Sequence, residues 1–124
     1  MFIFFHLDEC CAHFEVYYQT KNEAYDNQDH VYGNYTKMSG TVNGRSHYQS
    51  DFDVEGAKVG IWWCSDYSVW MIGQYSDLGE CIGFAGGNKD VECPQNVGWN
   101  WIYYDGQAWV EAGEGLGVKC RGMQ

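Results

Sequence analysis

The sequence predicts an all-β fold, a small antiparallel sandwich or barrel that is built from hairpins and stabilised by disulfides. Three observations predict it: sixteen glycines with a single proline, an aromatic content of 18%, and six cysteines spread from end to end. Aromatic side chains suit pleated, half-buried surfaces, and glycines supply turns between strands. At 124 residues, the chain is long enough for one core. We therefore expect a single domain over residues 10–124, preceded by an apolar tail at 1–9.

Short runs of strand-forming residues recur along the chain with turn residues between them. The predicted strands cover residues 12–18, 31–38, 41–42, 45–50, 59–64, 68–74, 99–104, 107–112 and 117–120. The polar stretch QTKNEAYDNQD, between the first two strands, is predicted to be a loop. Asn43-Gly44 predicts a type I′ hairpin turn, because both residues accept positive φ. Arg45 follows the turn as one of two arginines in the chain, where it is a candidate contact for a ligand.

Two segments share a pattern of Val-Gly, Trp, turn, Trp and Gly. They are VGIWWCSDYSVWMIG at 59–73 and VGWNWIYYDGQAWVEAG at 97–113, in which Trp63 corresponds to Trp101 and Trp70 to Trp109. Each predicts a hairpin, with Ser65-Asp66 and Asp105-Gly106 at the turns. Two copies are too few for a solenoid or propeller. We expect two similar hairpins that face each other across one core.

The even number of cysteines indicates a disulfide framework and an oxidising, extracellular setting. The six are Cys10, Cys11, Cys64, Cys81, Cys93 and Cys120. Cys81 and Cys93 bracket a glycine-rich excursion, and we expect them to pair. Because neighbours on a strand point to opposite faces, Cys120 is expected to pair with one of Cys10 and Cys11, and Cys64 with the other.

Two metal sites deserve consideration. Asp51, Asp53 and Glu55 alternate along DFDVEG and could offer oxygen ligands to Ca²⁺, although Trp62 at the twelfth position excludes an EF-hand. The alternative is that these residues form an acidic turn that faces solvent and binds no metal. Zinc in a reducing compartment is disfavoured, because its ligands would lack the usual paired spacing; they would be His6, Cys10, Cys11 and His13. No other cofactor is expected.

Four short motifs resemble a module of secreted and surface proteins of invertebrates and protists. They are VNGRSHY, WMIG, the Cys-Pro at 93–94 and a following Trp, and the resemblance spans residues 31–120. Ser46 stands where that pattern has proline. The resemblance implies an extracellular β module and no mechanism. Asn34-Tyr35-Thr36 is a glycosylation sequon, which agrees with secretion.

Charge and motifs exclude several classes of function. Seven basic residues against seventeen acidic ones give a net charge of −10, which disfavours nucleic acid as a partner. No apolar run is long enough for membrane insertion. The sequence lacks the motifs of Ser hydrolases, zinc peptidases and phosphate-binding loops. His30 and His47 could pair with carboxylates, but four histidines among seventeen acidic residues will have such neighbours by chance. We therefore expect no catalytic residues and no enzyme activity.

Three non-catalytic functions remain. The apolar residues 1–9 and the edge strands could self-associate or bind other extracellular proteins, which predicts a structural or adhesive module. The alternative is a lectin-like module that binds glycans on exposed aromatics, with calcium as an option. Its candidate residues lie in WNWIYYDGQAW: Trp99, Trp101, Tyr103 and Trp109. If these side chains instead fill the core, they cannot form an exposed aromatic surface for a sugar. A small defence or toxin-like protein is the third possibility.

Overall fold

The structure is a computed structural model, and it describes residues 10–122. Within them, nine antiparallel strands form one sheet that curls into a half-barrel. The elements are β1 (His13–Tyr17), α1 (Glu23–Gln28), β2 (Gly33–Val42), β3 (Arg45–Ser50), β4 (Val59–Cys64), β5 (Val69–Gln74), β6 (Ala85–Gly87), β7 (Trp101–Tyr104), β8 (Trp109–Glu111) and β9 (Gly117–Cys120). Their order across the sheet is β8-β7-β6-β5-β4-β3-β2-β1-β9. The prediction of an all-β antiparallel fold is confirmed.

The concave face of the sheet holds the main core. One row of inward side chains crosses five strands as direct partners, in the order Tyr48, Ile61, Ile72, Ala85 and Tyr103. All five are buried. A sheet without a second sheet opposite it must curl to cover such a row, because exposed apolar area costs free energy. The aromatic side chains fill much of the resulting interior, since the chain has only three leucines.

Several predicted strands match the structure closely, and two elements were missed. β3, β4 and β9 have the predicted bounds. β6 lies in the glycine-rich excursion, whose small residues show no apolar alternation; a Cβ on Gly87 would come within 2.8 Å of Val97. The predicted loop QTKNEAYDNQD contains α1, which Asn22 caps by accepting a hydrogen bond from the Ala24 amide at 2.9 Å.

The two similar hairpins do not face each other, and that expectation is wrong. β4–β5 and β7–β8 lie in the same sheet with β6 between them. Their connecting loops contain four residues each, because Cys64 pairs with Val69 and Tyr104 with Trp109. Equivalent tryptophans therefore differ in environment. Trp70 is fully buried, whereas its counterpart Trp109 is 48% exposed.

All six cysteines form disulfides, but only part of the predicted pairing is confirmed. Cys11 pairs with Cys120, as one of the two expected partners. The expected Cys81–Cys93 and Cys64–Cys10 pairs are wrong: the observed disulfides are Cys10–Cys93 and Cys64–Cys81. The glycine-rich excursion is part of the sheet through β6, and therefore its two flanking cysteines end on different sides of the fold.

Asn43-Gly44 forms the predicted turn, and Arg45 turns back into the protein. Asn43 has φ of 56° and Gly44 has φ of 83°. The Arg45 guanidinium lies 3.6 Å from the centroid of the Trp63 ring. Its Nη1 donates to the carbonyl oxygens of Val91 at 2.9 Å and Glu92 at 3.3 Å. Arg45 thus fastens the β2–β3 hairpin to the segment before Cys93, and it is not positioned as the predicted ligand contact.

Two further expectations concern the ends of the chain and of the sheet. The apolar tail at 1–9 lies outside the described residues, so association through it stays a prediction. The sheet edges, β8 and β9, contain only three and four residues; short edges are a common protection against strand pairing. No helix among residues 10–122 is both long and apolar enough to cross a membrane.

Replacing Arg45 should destabilise the fold. We expect Arg45→Ala to lower the free energy of unfolding by about 2 kcal/mol, because it removes the stack on Trp63 and the hydrogen bonds to the Val91 and Glu92 carbonyls. Arg45→Lys should recover little of this loss, since an ammonium lacks the planar fork. Guanidinium denaturation with the disulfides intact measures both. Lys89→Ala removes one exposed positive charge from the neighbouring loop and serves as the control; an equal loss in that variant would contradict the prediction.

His47 should make stability depend on pH. Its ring is 6% exposed, Nε2 lies 3.0 Å from the Tyr75 hydroxyl, and Nδ1 has no hydrogen-bond partner among the described residues. Burial lowers the pKa of His47 below its ordinary value of 6.5. The unfolded chain therefore takes up the proton more readily. The contribution of the neutral His47 ring to stability is present above about pH 6.5 and is lost as the pH falls below that value.

The measurement is the free energy of unfolding of the wild type and His47→Gln between neutral and mildly acidic pH. We expect the wild type to lose stability relative to the variant as the pH falls. Burial also lowers the pKa of His30, so His30→Gln should separately reduce the dependence of the free energy of unfolding on pH. If His47→Gln shows the same dependence as the wild type, His47 is not its source.

Candidate functional site

The convex face of the sheet is covered over only part of its width. Residues 75–83, which we call the strap, cross β4 and bury a second small cluster of Trp62, Cys64 and Met71 with Leu78 packed against it. The indole of Trp62 donates to the Glu80 carbonyl at 2.7 Å. The Cys64–Cys81 disulfide ties the end of the strap to the sheet. Beyond the strap, the convex face of β6 to β8 stays open, and it reaches Met71 on β5, which is 5% exposed.

A groove lies on this open face, and its floor follows from the strand register. Met71, Gly86 and Ile102 are direct partners on β5, β6 and β7 and share the convex side. Gly86 has no side chain, so the floor is lowest at the middle strand. The groove has a volume of about 460 Å³. We call it the outer groove.

Two aromatic side chains stand at the borders of the outer groove. Tyr67, in the β4–β5 loop, is 72% exposed, and Trp109 on β8 is 48% exposed. The Trp109 ring packs against the Tyr104 ring, with centroids 5.5 Å apart. Large aromatic surfaces left in water on a small domain, and gathered around one concavity, are typical of a binding site.

The outer groove is uncharged, and its polar group is an amide. Asn88 follows β6, and its backbone amide donates to the Asn100 carbonyl at 2.7 Å, which holds this residue beside β7. The described residues that line the groove include no acidic or basic side chain. Cys81 at its border is in a disulfide and cannot act as a nucleophile. The arrangement can bind a neutral ligand by aromatic contact and amide hydrogen bonds.

A smaller depression adjoins the outer groove and shares Asn88 and Ile102 with it. Its volume is about 100 Å³, and Asn100, Glu111 and Trp99 also line it. The Asn100 side chain donates to the Val97 carbonyl at 3.0 Å, which orients its amide. We call this depression the side pocket. Its polar lining contrasts with the apolar floor of the outer groove.

The four predicted aromatic ligand residues occupy different places. Trp109 borders the outer groove, and Trp99 lines the side pocket while packing against Tyr17 at 5.5 Å between centroids. Trp101 and Tyr103 point into the core, with exposures of 0% and 3%. They cannot present a face to a ligand, because strand alternation places them on the concave side of β7.

The sequence analysis missed Tyr67, Gly86, Asn88 and Ile102. Gly86 belongs to β6, the strand that glycine content concealed, and Asn88 follows directly after it. One usable signal was present in VWMIG: alternation places Val69 and Met71 on the face opposite Trp70. Because the face with Val69 and Met71 is apolar as well, the pattern indicates that this face of the strand is either covered or used for binding.

Two of the three acidic residues proposed for calcium have different partners, and the third, Glu55, lines a cleft near α1. Asp51 accepts a hydrogen bond from the Thr36 hydroxyl at 2.7 Å, and Asp53 pairs with Lys58 at 2.8 Å. Over residues 10–122, no group of three or more His, Cys, Asp or Glu side chains is placed to hold a metal ion. The zinc alternative loses Cys10 and Cys11 to disulfides, and His6 lies outside the described residues.

A second cleft of about 380 Å³ lies near α1, lined by residues that include Asp29, His30, Glu55 and Lys58. The His30 ring meets Phe84 edge-on at 4.3 Å, and burial lowers its pKa despite the nearby Asp29. Lys58 is already paired with Asp53. This cleft has less apolar surface, and its aromatic residues His30 and Phe84 are only partly exposed, so the outer groove is the better candidate site.

Asn34, the predicted glycosylation site, is half-exposed on β2 opposite Glu15. Its modification stays a prediction. Comparison of the chain with protein-family models, curated proteins and solved structures finds no match.

Proposed function

We propose that this chain is a non-catalytic carbohydrate-binding module of the extracellular space, and that its ligand lies in the outer groove. The observation that carries the proposal is the pair of exposed aromatic side chains, Tyr67 and Trp109, beside an uncharged apolar floor and the Asn88 amide. An adhesive role would then act through glycans.

The chemistry of a sugar fits these groups. A pyranose ring has an apolar face of C–H groups that packs on the face of an aromatic ring, and hydroxyls around its edge that need hydrogen-bond partners. Trp109 and Tyr67 supply the aromatic faces, and Asn88 offers both a donor and an acceptor. A purely apolar ligand would leave the Asn88 amide unused, and a strongly charged one would find no counter-charge in the lining.

The remaining features agree with an extracellular binding role. Three disulfides indicate an oxidising environment. The half-exposed sequon at Asn34 is compatible with secretion. Binding without turnover is expected, since the outer groove lining offers no carboxylate or imidazole for acid–base chemistry.

The test is a panel of soluble glycans titrated against the full-length, oxidised protein, followed by tryptophan fluorescence and calorimetry. We expect Trp109→Ala and Tyr67→Ala each to weaken binding about tenfold, because each removes stacking and apolar contact of about 1–2 kcal/mol. Both side chains are largely exposed, so the fold should tolerate their loss. A chelator should leave binding unchanged, because the outer groove lining contains no acidic side chain that could hold a metal ion.

Tyr18→Ala is the matched control. Tyr18 is an exposed aromatic that packs with Tyr25 and Tyr32 at a distance from the groove lining. It should leave affinity unchanged. A panel without any binding partner, or an equal loss in Tyr18→Ala and Trp109→Ala, would overturn the proposed function.

A further inference from the structure

We infer that the ligand is a short oligosaccharide of neutral sugars, about three units long, which lies across strands β5 to β8 with one end against the strap. The inference rests on the proposed function and adds to it the length, the direction and the charge of the ligand. Four features of the convex face carry it: the strand register, the two adjoining depressions, the closed end at the strap and the charge of the lining.

The register makes the floor a continuous row across the strands, which we call the track. Met71, Gly86, Ile102 and Glu111 are successive direct partners on β5, β6, β7 and β8. Adjacent strands lie about 4.8 Å apart, so the track from β5 to β8 is about 14 Å long. That length accommodates about three linked pyranose rings and is too long for a single sugar.

The outer groove and the side pocket adjoin each other along this track. Ile102 and Asn88 belong to the linings of both, so the two depressions meet at these residues. Their chemistry differs along the way: aromatic and apolar between Tyr67 and Trp109, then polar at Asn100 and Glu111. A chain of sugars can stack in the first part and place its hydroxyls against the amide and carboxylate of the second.

The track is closed at one end and open at the other. At the β4 side, the strap rises over Trp62, and Cys81 borders the groove beside its disulfide to Cys64. At the other side, β8 is the last strand of the sheet, and Glu111 on it is exposed. A ligand therefore abuts the strap with one terminal sugar and can leave the protein beyond Glu111.

The charge of the site selects against acidic glycans. The one ionised side chain along the track is the Glu111 carboxylate, which accepts hydrogen bonds from hydroxyl groups. The whole chain has a net charge of −10. A ligand carboxylate or sulfate beside Glu111 would be repelled, with no basic side chain in the lining to offset the repulsion.

The experiment measures the affinity of the full-length protein for β-1,4-linked glucose and N-acetylglucosamine oligomers of one to six units, whose equatorial substituents leave flat apolar faces. We expect affinity to rise with each unit to about three and then to level off. Glu111→Gln should weaken the trisaccharide by about fivefold, since it replaces a charge-assisted hydrogen bond with a neutral one. It should leave the affinity for the monosaccharide and the disaccharide unchanged.

Gly86→Val provides a second variant that raises the floor. A Cβ at Gly86 would meet Met71 Sδ at 3.6 Å and the Trp70 carbonyl oxygen at 3.8 Å, which are ordinary contacts. The branched side chain therefore projects into the groove without strain in the sheet, and it should weaken every oligomer about tenfold or more. An unchanged melting temperature confirms that this variant is folded.

Failure of the inference and failure of the proposed function give different results. If the monosaccharide and the trisaccharide bind equally, and Trp109→Ala weakens both, the groove binds sugars but the length assignment is wrong. If affinity keeps rising to six units, the closed end at the strap is wrong. If a uronic acid trisaccharide binds as tightly as its neutral counterpart, the charge assignment is wrong. If no oligomer binds at all, the proposed function falls with the inference.

Discussion

The structure depends on one constraint: a single sheet has to bury its own apolar face. No second sheet packs on the concave side in the described part of the chain, so the nine strands curl, and buried residues outside the strands, such as Ala24, Val97 and Leu116, complete the core. Curling brings the two edge strands, β8 and β9, close enough for residues 112–116 to connect them, and β9 pairs with β1. Cys11–Cys120 then joins the segment before β1 to the end of β9, and Cys10–Cys93 holds the chain before Pro94–Val97.

The same constraint explains Arg45. A hairpin that extends from a curled sheet needs anchoring, and here a guanidinium stacks on Trp63 and binds the carbonyls before Cys93. The scarce positive charge is used inside the fold, where it satisfies backbone acceptors that would otherwise need water. On the convex side, the strap covers β4 and part of β5, and the outer groove lies where that cover stops.

Sequence patterns predicted part of the candidate site. The aromatic stretch at 99–109 contains Trp109, which borders the outer groove, but also Trp101 and Tyr103, which are buried in the core. Alternation predicted which of these residues share a face, but it could not say which face is concave. Tyr67 and Asn88 lie in loops, and Gly86 contributes by lacking a side chain. None of the three follows a periodic pattern, so their convergence depends on sheet register alone.

Local physical chemistry determined the features that the sequence by itself could establish. Asn43-Gly44 accepts positive φ wherever it occurs, the strands β3, β4 and β9 follow from their residue types, and an even set of six cysteines indicated disulfides. The tertiary structure decided which cysteines pair, whether Arg45 faces a ligand or the protein, and why Trp70 is buried while its counterpart Trp109 is exposed. Each of these depends on contacts between residues distant in the chain. Such contacts arise only when the sheet curls, because curvature decides which side of each strand becomes the interior.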